Sequence, residues 1–432
     1  MVNTKHLLLA LGASVAAAIA VPAATHAQSI AYQPVLESDG VVVMAAQWPQ
    51  GTARRVIPPR VAGDLSWPVE RAQALLEAVA TMADEGLDPA DYRPDGLRAA
   101  IAAGPGERLD RVAGEVFARL VADLRDGRTP IAARRAYLMD DPDAALLPTA
   151  VLQERALASG DVAGVLASLT PAHPDYAALR TALAQTSDPA RRALIRANMD
   201  RWRWLPRELG GINVMVNVPE YMVRLTINGQ TANSYRAIVG RPGTSATPQM
   251  FEMIEGVILN PTWTVPQSIV VGEGLGGRVL GNPSWARTMG YTASRSGGTT
   301  TVVQQPGPRN ALGLMKIDMP NAHAIFLHDT PSRSLFAQPN RALSHGCVRV
   351  ERALEFAMTL SILGGGPGVE QAMGISRSGD YTRVPLTRQI PVYLAYFTLG
   401  VNDAGELTEF RDVYSRDAPV LASLAQRDTR PL

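Results

Sequence analysis

The chain has one cysteine among 432 residues. A single thiol cannot close an intramolecular disulfide, so a disulfide-stapled framework is excluded. Charge is also scarce. Charged residues make up 19% and the formal net charge is +1, so no basic field recruits nucleic acid or an anionic membrane surface. Aromatic residues are 6%, and there are six histidines. Past the N-terminus no apolar run reaches the ~20 residues that span a bilayer. The 37 glycines and 32 prolines stay below the ~25–30% typical of disordered or collagen-like chains. What remains is a globular composition, 46% hydrophobic, with length enough for two or three domains.

Residues 1–27 have the three parts of an export signal. Lys5 precedes an apolar run from Leu7 to Val21, Pro22 breaks it, and Thr25-His26-Ala27 offers small residues for cleavage after Ala27. The run is too short for a membrane span. The expectation is an exported, periplasmic protein with no membrane span after cleavage. Residues 28–61, with Pro34, Pro49, Pro58 and Pro59, read as irregular.

From 62 to 205 the apolar spacing is helical. Helices are expected over Val69–Ala83, stopping at Gly86, and over Leu109–Leu124, stopping at Gly127. Shorter ones are expected over Val162–Leu169, Tyr176–Leu183 and Arg191–Arg203, with His173 on the surface. Near Pro206 the period changes to two. Ile212, Val214, Val216 and Val218 alternate with polar neighbours, and so do Tyr221, Val223, Leu225 and Ile227. Asn228-Gly229 then signals a hairpin, because both residues tolerate positive φ. Further strands are expected at 256–259, 300–304, 312–318, 324–328 and 391–399. Ser268–Thr299 is rich in glycine and weakly periodic, which suggests a functional loop or lid.

The lone Cys347 lies in Ser344-His345-Gly346-Cys347-Val348-Arg349. An unpaired thiol in an oxidising compartment is either buried and inert or used chemically. Gly346 lets another backbone approach. The spacing of Val350, Ala353, Leu354 and Ala357 places Cys347 just before a helix, whose N-terminus would favour a thiolate and an oxyanion. Two histidines are candidate bases, His345 and the upstream His328. A thiolate, a base and an oxyanion site are what acyl transfer needs. Asp329 follows His328 on the opposite strand face and reads as structural. Zinc held by His323, His328, His345 and Cys347 is the rival chemistry, but the spacing matches no compact zinc motif. No metal or cofactor is expected.

His328 followed by Ser344-His345-Gly346-Cys347 resembles the signature of the L,D-transpeptidases, the YkuD-type catalytic domain. The branch of that family bearing a helical scaffold domain is similar in Asn198-Met-Asp-Arg-Trp-Arg-Trp-Leu-Pro206, Asn260-Pro-Thr-Trp-Thr-Val-Pro266, Gln305-Pro-Gly307, Asn310-Ala-Leu-Gly313, Met319-Pro-Asn321 and Glu85-Gly-Leu-Asp-Pro-Ala-Asp-Tyr92. The resemblance implies an α+β multidomain chain. An N-terminal α-helical scaffold domain (62–205) precedes a mainly β catalytic domain (206–415) with a substrate-covering loop at 268–305, then a tail at 416–432. It implies Cys347 as nucleophile and His328 as base, with Ser344, His345 and Gly346 supporting the oxyanion site. Peptidoglycan stem peptides would be substrate and partner, through 3→3 cross-linking, and carbapenems would acylate Cys347. Trp263 is a candidate pocket wall, with ordinary packing as the alternative. Arg349 stands where many members have asparagine; it would contact a substrate carboxylate or form a structural ion pair. The peptidoglycan-binding module of long members has no counterpart, since only Ala184–Arg191 fills its place.

Overall fold

The computed structural model describes residues 31–36, 42–47, 65–139, 143 and 146–427. The export signal lies outside the described residues. Within the segment read as irregular, the backbone of Ala31–Leu36 pairs antiparallel with Val42–Gln47. The chain divides into two compact units, one running Gly210–Ala395 and the other combining Ala27–Leu209 with Tyr396–Leu432.

The second unit is helical: α1 Val69–Thr81, α2 Pro94–Ala102, α3 Glu107–Arg125, α4 Thr149–Ser159, α5 Val162–Ala167, α6 Pro174–Gln185 and α7 Pro189–Trp202. Proline opens α2, α6 and α7, at the position where its missing N–H costs nothing. The three-four spacing of α1 and α3 turns Leu75, Phe117, Leu120 and Leu124 fully inward. His173, expected on the surface, is half-buried and engaged. It caps α6 by accepting from Asp175 N–H, and its ring stacks 4.2 Å from Trp202.

The sequence boundary at 415 moves to 395 because the segment that follows packs with helices. Phe397 stacks on Trp202, Thr398 N–H donates to Asn198 Oδ1 at 2.9 Å, and Arg201 reaches Asp417 Oδ1 at 2.6 Å. The expected tail contains a helix, Asp417–Ala425.

Asp200, fully buried, ties α7 to the turn after α3. It accepts from Arg128 N–H at 2.7 Å, Thr129 N–H at 3.0 Å and Trp204 Nε1–H at 3.2 Å, beside the Arg203 guanidinium. Asp200→Ala would orphan those donors and a buried cation. We expect a loss of about 3–5 kcal/mol, read as a fall in the melting temperature of this unit; an unchanged melt would refute the assignment.

The first unit is built on β1 Ile212–Asn217, β2 Met222–Ile227, β3 Gln230–Gly240, β4 Gln249–Leu259, β8 Met315–Asp318, β9 Leu327–His328, β11 Val348–Val350 and β12 Thr382–Ala395. The remaining strands of this unit are β5 Trp263–Thr264, β6 Tyr291–Ser296, β7 Thr299–Gln304 and β10 Ala342–Ser344. The β1–β2–β3 meander turns at Asn228-Gly229, both at positive φ as their residue types permit. Neighbours run β8–β9–β11–β3–β2–β1–β12–β4, and β4 pairs again with β8, so the sheet closes on itself. Val214, Val216, Leu327, Val348 and Val350 fill one face together with α11 Ala353–Leu363.

The Gly-rich stretch expected to be a loop is instead a folded subdomain. It holds α8 Gln267–Gly272, α9 Leu275–Gly281 and α10 Pro283–Met289, with β7 paired to both β5 and β6. Val265, Val270, Val279 and Val302 form its own small core. Helices of six and seven residues are too short to show a helical period in sequence. Gln304 and Asn310, both buried, clamp its base: Gln304 Nε2 donates to Met289 O and Arg309 O, and Asn310 Nδ2 to Pro261 O.

Candidate active site

The site grows from strand alternation. Along β8, β9 and β11 the residues Met315, Ile317, Leu327, Val348 and Val350 face the core. The alternate residues therefore share the other face. Register aligns them: Lys316 opposes His328 across β8–β9, and His328 opposes Arg349 across the parallel β9–β11 pair. Cys347, two residues before Arg349, shares that face. The sequence thus brings nucleophile candidate, base candidate and two cations onto one surface.

His328 is buried. Its Nδ1–H donates to Asp329 O. A carbonyl can only accept, so this bond fixes the tautomer and leaves Nε2 with its lone pair. Burial first, then the Arg349 and Lys316 charges, push the imidazole pKa down to about 3. Asp329 holds the turn, as its strand position suggested: its N–H donates to Met315 O and its Oδ2 accepts from Leu314 N–H.

Cys347 is partly exposed, and its Sγ lies 3.5 Å from Ala324 O. Burial pushes the thiol pKa up. The backbone N–H groups of Phe326 and of Cys347 itself, with Lys316 and Arg349, pull the other way. The expected helix N-terminus is not beside the thiol. Cys347 enters strand β11, and α11 begins only at Ala353. The apolar spacing was right for α11, but the β-branched Val348 and Val350 continue the sheet first.

Ser344, buried, closes the turn before the thiol. Its hydroxyl donates to Cys347 O at 2.6 Å and accepts from Gly346 N–H at 3.1 Å. The Gly346 amide is therefore engaged internally. Gly346 has φ +125°, and a Cβ there would come 3.1 Å from Ile325 Cδ1, so glycine is required. Thr247, fully buried, accepts from Gly240 N–H and donates to Gly346 O at 2.7 Å. Nothing in the local sequence Ser245-Ala-Thr-Pro248 marks that role.

His345 points elsewhere. Its Nε2 sits 3.3 Å from Glu273 Oε1, in the segment between α8 and α9. Burial and Arg241 lower its pKa, and Glu273 opposes them. Trp263 is half-buried and packs against the subdomain's core. Among the described residues Arg349 forms no ion pair. Its buried Nε has no hydrogen-bond partner among the described residues. Lys316, which no local motif marks, also forms no ion pair among the described residues; its Nζ lies 4.1 Å over the Phe326 ring. His323 is exposed. Among the described residues no group of three or more His, Cys, Asp or Glu is placed to hold a metal.

Residues 212–370 match the family model described as the L,D-transpeptidase catalytic domain. Residues 64–183 match the one described as a scaffold domain. The chain carries a scaffold domain followed by an L,D-transpeptidase catalytic domain. A Haemophilus influenzae protein named "Putative L,D-transpeptidase" is 30% identical over 239 residues, covering 52% of this chain and 48% of that protein. The chain thus spans about half the length of that curated relative. A solved L,D-transpeptidase from Mycobacterium smegmatis is 13% identical, with a TM-score of 0.21, covering 43% of this chain and 58% of that one; so slight a likeness carries no argument. Among the described residues no helix is long and apolar enough to cross a membrane.

Proposed function

We propose that the chain is an exported, periplasmic cysteine acyltransferase that cross-links peptidoglycan by L,D-transpeptidation. The observation that carries this reading is the shared face of Cys347 and His328, with the His328 tautomer leaving Nε2 free to accept a proton.

The resting pair is a neutral thiol and a neutral imidazole on one sheet face. His328 Nε2 takes the thiol proton as Sγ bonds to the carbonyl carbon of the diamino residue in a stem tetrapeptide. The oxyanion is met by the backbone N–H of Cys347, since that of Gly346 is held by Ser344. The C–N bond breaks, and the imidazolium returns its proton to the departing D-alanine amine. An amine of a neighbouring stem then attacks the thioester, His328 takes its proton, and the thiol leaves. Two acyl steps conserve the energy of the first peptide bond, so no ATP is consumed. Trp263 would brace the covering subdomain, and Arg349 would meet a substrate carboxylate.

Incubation with disaccharide-tetrapeptide, followed by mass spectrometry, tests the proposal. A dimer lacking one D-alanine is expected. Disaccharide-tripeptide as the sole product would make the enzyme an L,D-carboxypeptidase. A product of either kind formed without Cys347 would overturn the acyl-enzyme route.

A further inference from the structure

Lys316 and Arg349 flank His328 in one cross-strand row. Residues directly opposite in a sheet share a face, with Cβ atoms ~4.5–5.5 Å apart. Asp318, the carboxylate two residues from Lys316 on the same strand, is engaged by Arg383 at 2.5 Å. Among the described residues Lys316 Nζ lies over the Phe326 ring and forms no ion pair, and the buried Nε of Arg349 has no hydrogen-bond partner. Burial lowers the pKa of both below their ordinary values. Asp318 acts on Lys316 from two residues away but is shared with Arg383, so two partly buried cations with no ion-pair partner of their own among the described residues form a site that gains by receiving an anion.

The place of that anion follows from the proton path, and so rests on the function proposed above. His328 returns its proton to the leaving amine. In an amino acid expelled from a chain end, the carboxylate is one carbon from that amine. A leaving group whose nitrogen faces His328 therefore brings its carboxylate within reach of the cations on either side of that histidine. We infer that Lys316, together with Arg349, binds the free C-terminal carboxylate of the departing D-amino acid and so restricts the donor to peptides that end there. A donor extended by one residue would present a neutral amide to two cations and be rejected.

The test compares a tetrapeptide donor bearing a free C-terminus with the same donor as its C-terminal amide, in the full chain and in Lys316→Met and Lys316→Arg. We expect the full chain to favour the acid by about tenfold or more in kcat/KM, the scale of one charge-assisted hydrogen bond. Lys316→Met should erase most of that preference, chiefly through KM, and Lys316→Arg should restore it. Alkylation of Cys347 by iodoacetamide, read by mass, confirms that each variant retains a folded, reactive site. If Lys316→Met slows acid and amide donors by the same factor, or the full chain shows no preference, the carboxylate site is refuted while the acyltransferase stands. If the full chain converts neither donor and carries no acyl adduct on Cys347, both proposals fail together.

Discussion

Cys347→Ala will reduce D-alanine release from the tetrapeptide donor by at least about 10⁴-fold, to the background of the assay. The reason is specific to this site. No second cysteine exists to substitute. The two hydroxyls that hold the turn at Gly346 and Cys347 are committed, Ser344 to Cys347 O and Thr247 to Gly346 O. The fold should survive, because the side chain is partly exposed and the turn is held through Cys347 O rather than through sulfur. Far-ultraviolet circular dichroism and the melting temperature should therefore match the parent. Cys347→Ser should be nearly as inactive: its hydroxyl has a far higher pKa than a thiol, and the burial that already raises the thiol pKa disfavours an alkoxide more. Intact-mass measurement on the parent should show the donor minus D-alanine attached at Cys347. Retention of more than a few per cent of the rate in Cys347→Ala would end the nucleophile assignment.

His328→Gln should lower kcat/KM by about 10²- to 10⁴-fold, the usual contribution of a positioned base. The pH dependence is the sharper signature. Burial, Arg349 and Lys316 hold the His328 pKa down at about 3, so the base is ready at every pH from 5 to 8. The rate profile of the parent should lack an acid limb near the ordinary imidazole value of 6.5. Stability carries the same sign. A lowered folded pKa means the unfolded chain takes up the proton first. The contribution of His328 is complete above 6.5 and is lost as the pH falls toward 3. Urea melts should thus show less acid sensitivity in His328→Gln than in the parent. An acid limb centred at 6.5 in kcat/KM would show that the base is solvated or is another group.

The proposed pair Cys347 and His328 stood out because its signal is local: a motif with a rare residue type and a histidine ending an apolar segment. Strand alternation from Ile212 to Ile227 and the Asn228-Gly229 turn were legible for the same reason, since each obeys a period or a φ preference written in adjacent residues. Register was not. Only the pairing of β8, β9 and β11 sets Lys316 beside His328, and no spacing in the sequence records it. The buried Thr247 strut is likewise a contact across 99 residues. The glycine-rich stretch misled because short helices and a narrow sheet conceal their apolar residues singly, among glycines. The boundary near 415 failed where Phe397, Thr398 and Asp417 continue a mainly β sequence but satisfy α7.

The return of the chain to α7 also orders the events of synthesis. Residues 210–395 form an unbroken segment whose two ends lie close together, with Val218 N–H bonded to Ala395 O and Gly210 against Pro391. That segment can fold as soon as it has been made. The helical unit cannot, because Asn198, Arg201 and Arg128 await Thr398, Asp417 and Gln426. The part of the protein that begins first is completed last. A chain cut short near residue 395 would hold every residue of the first unit but an open set of helices.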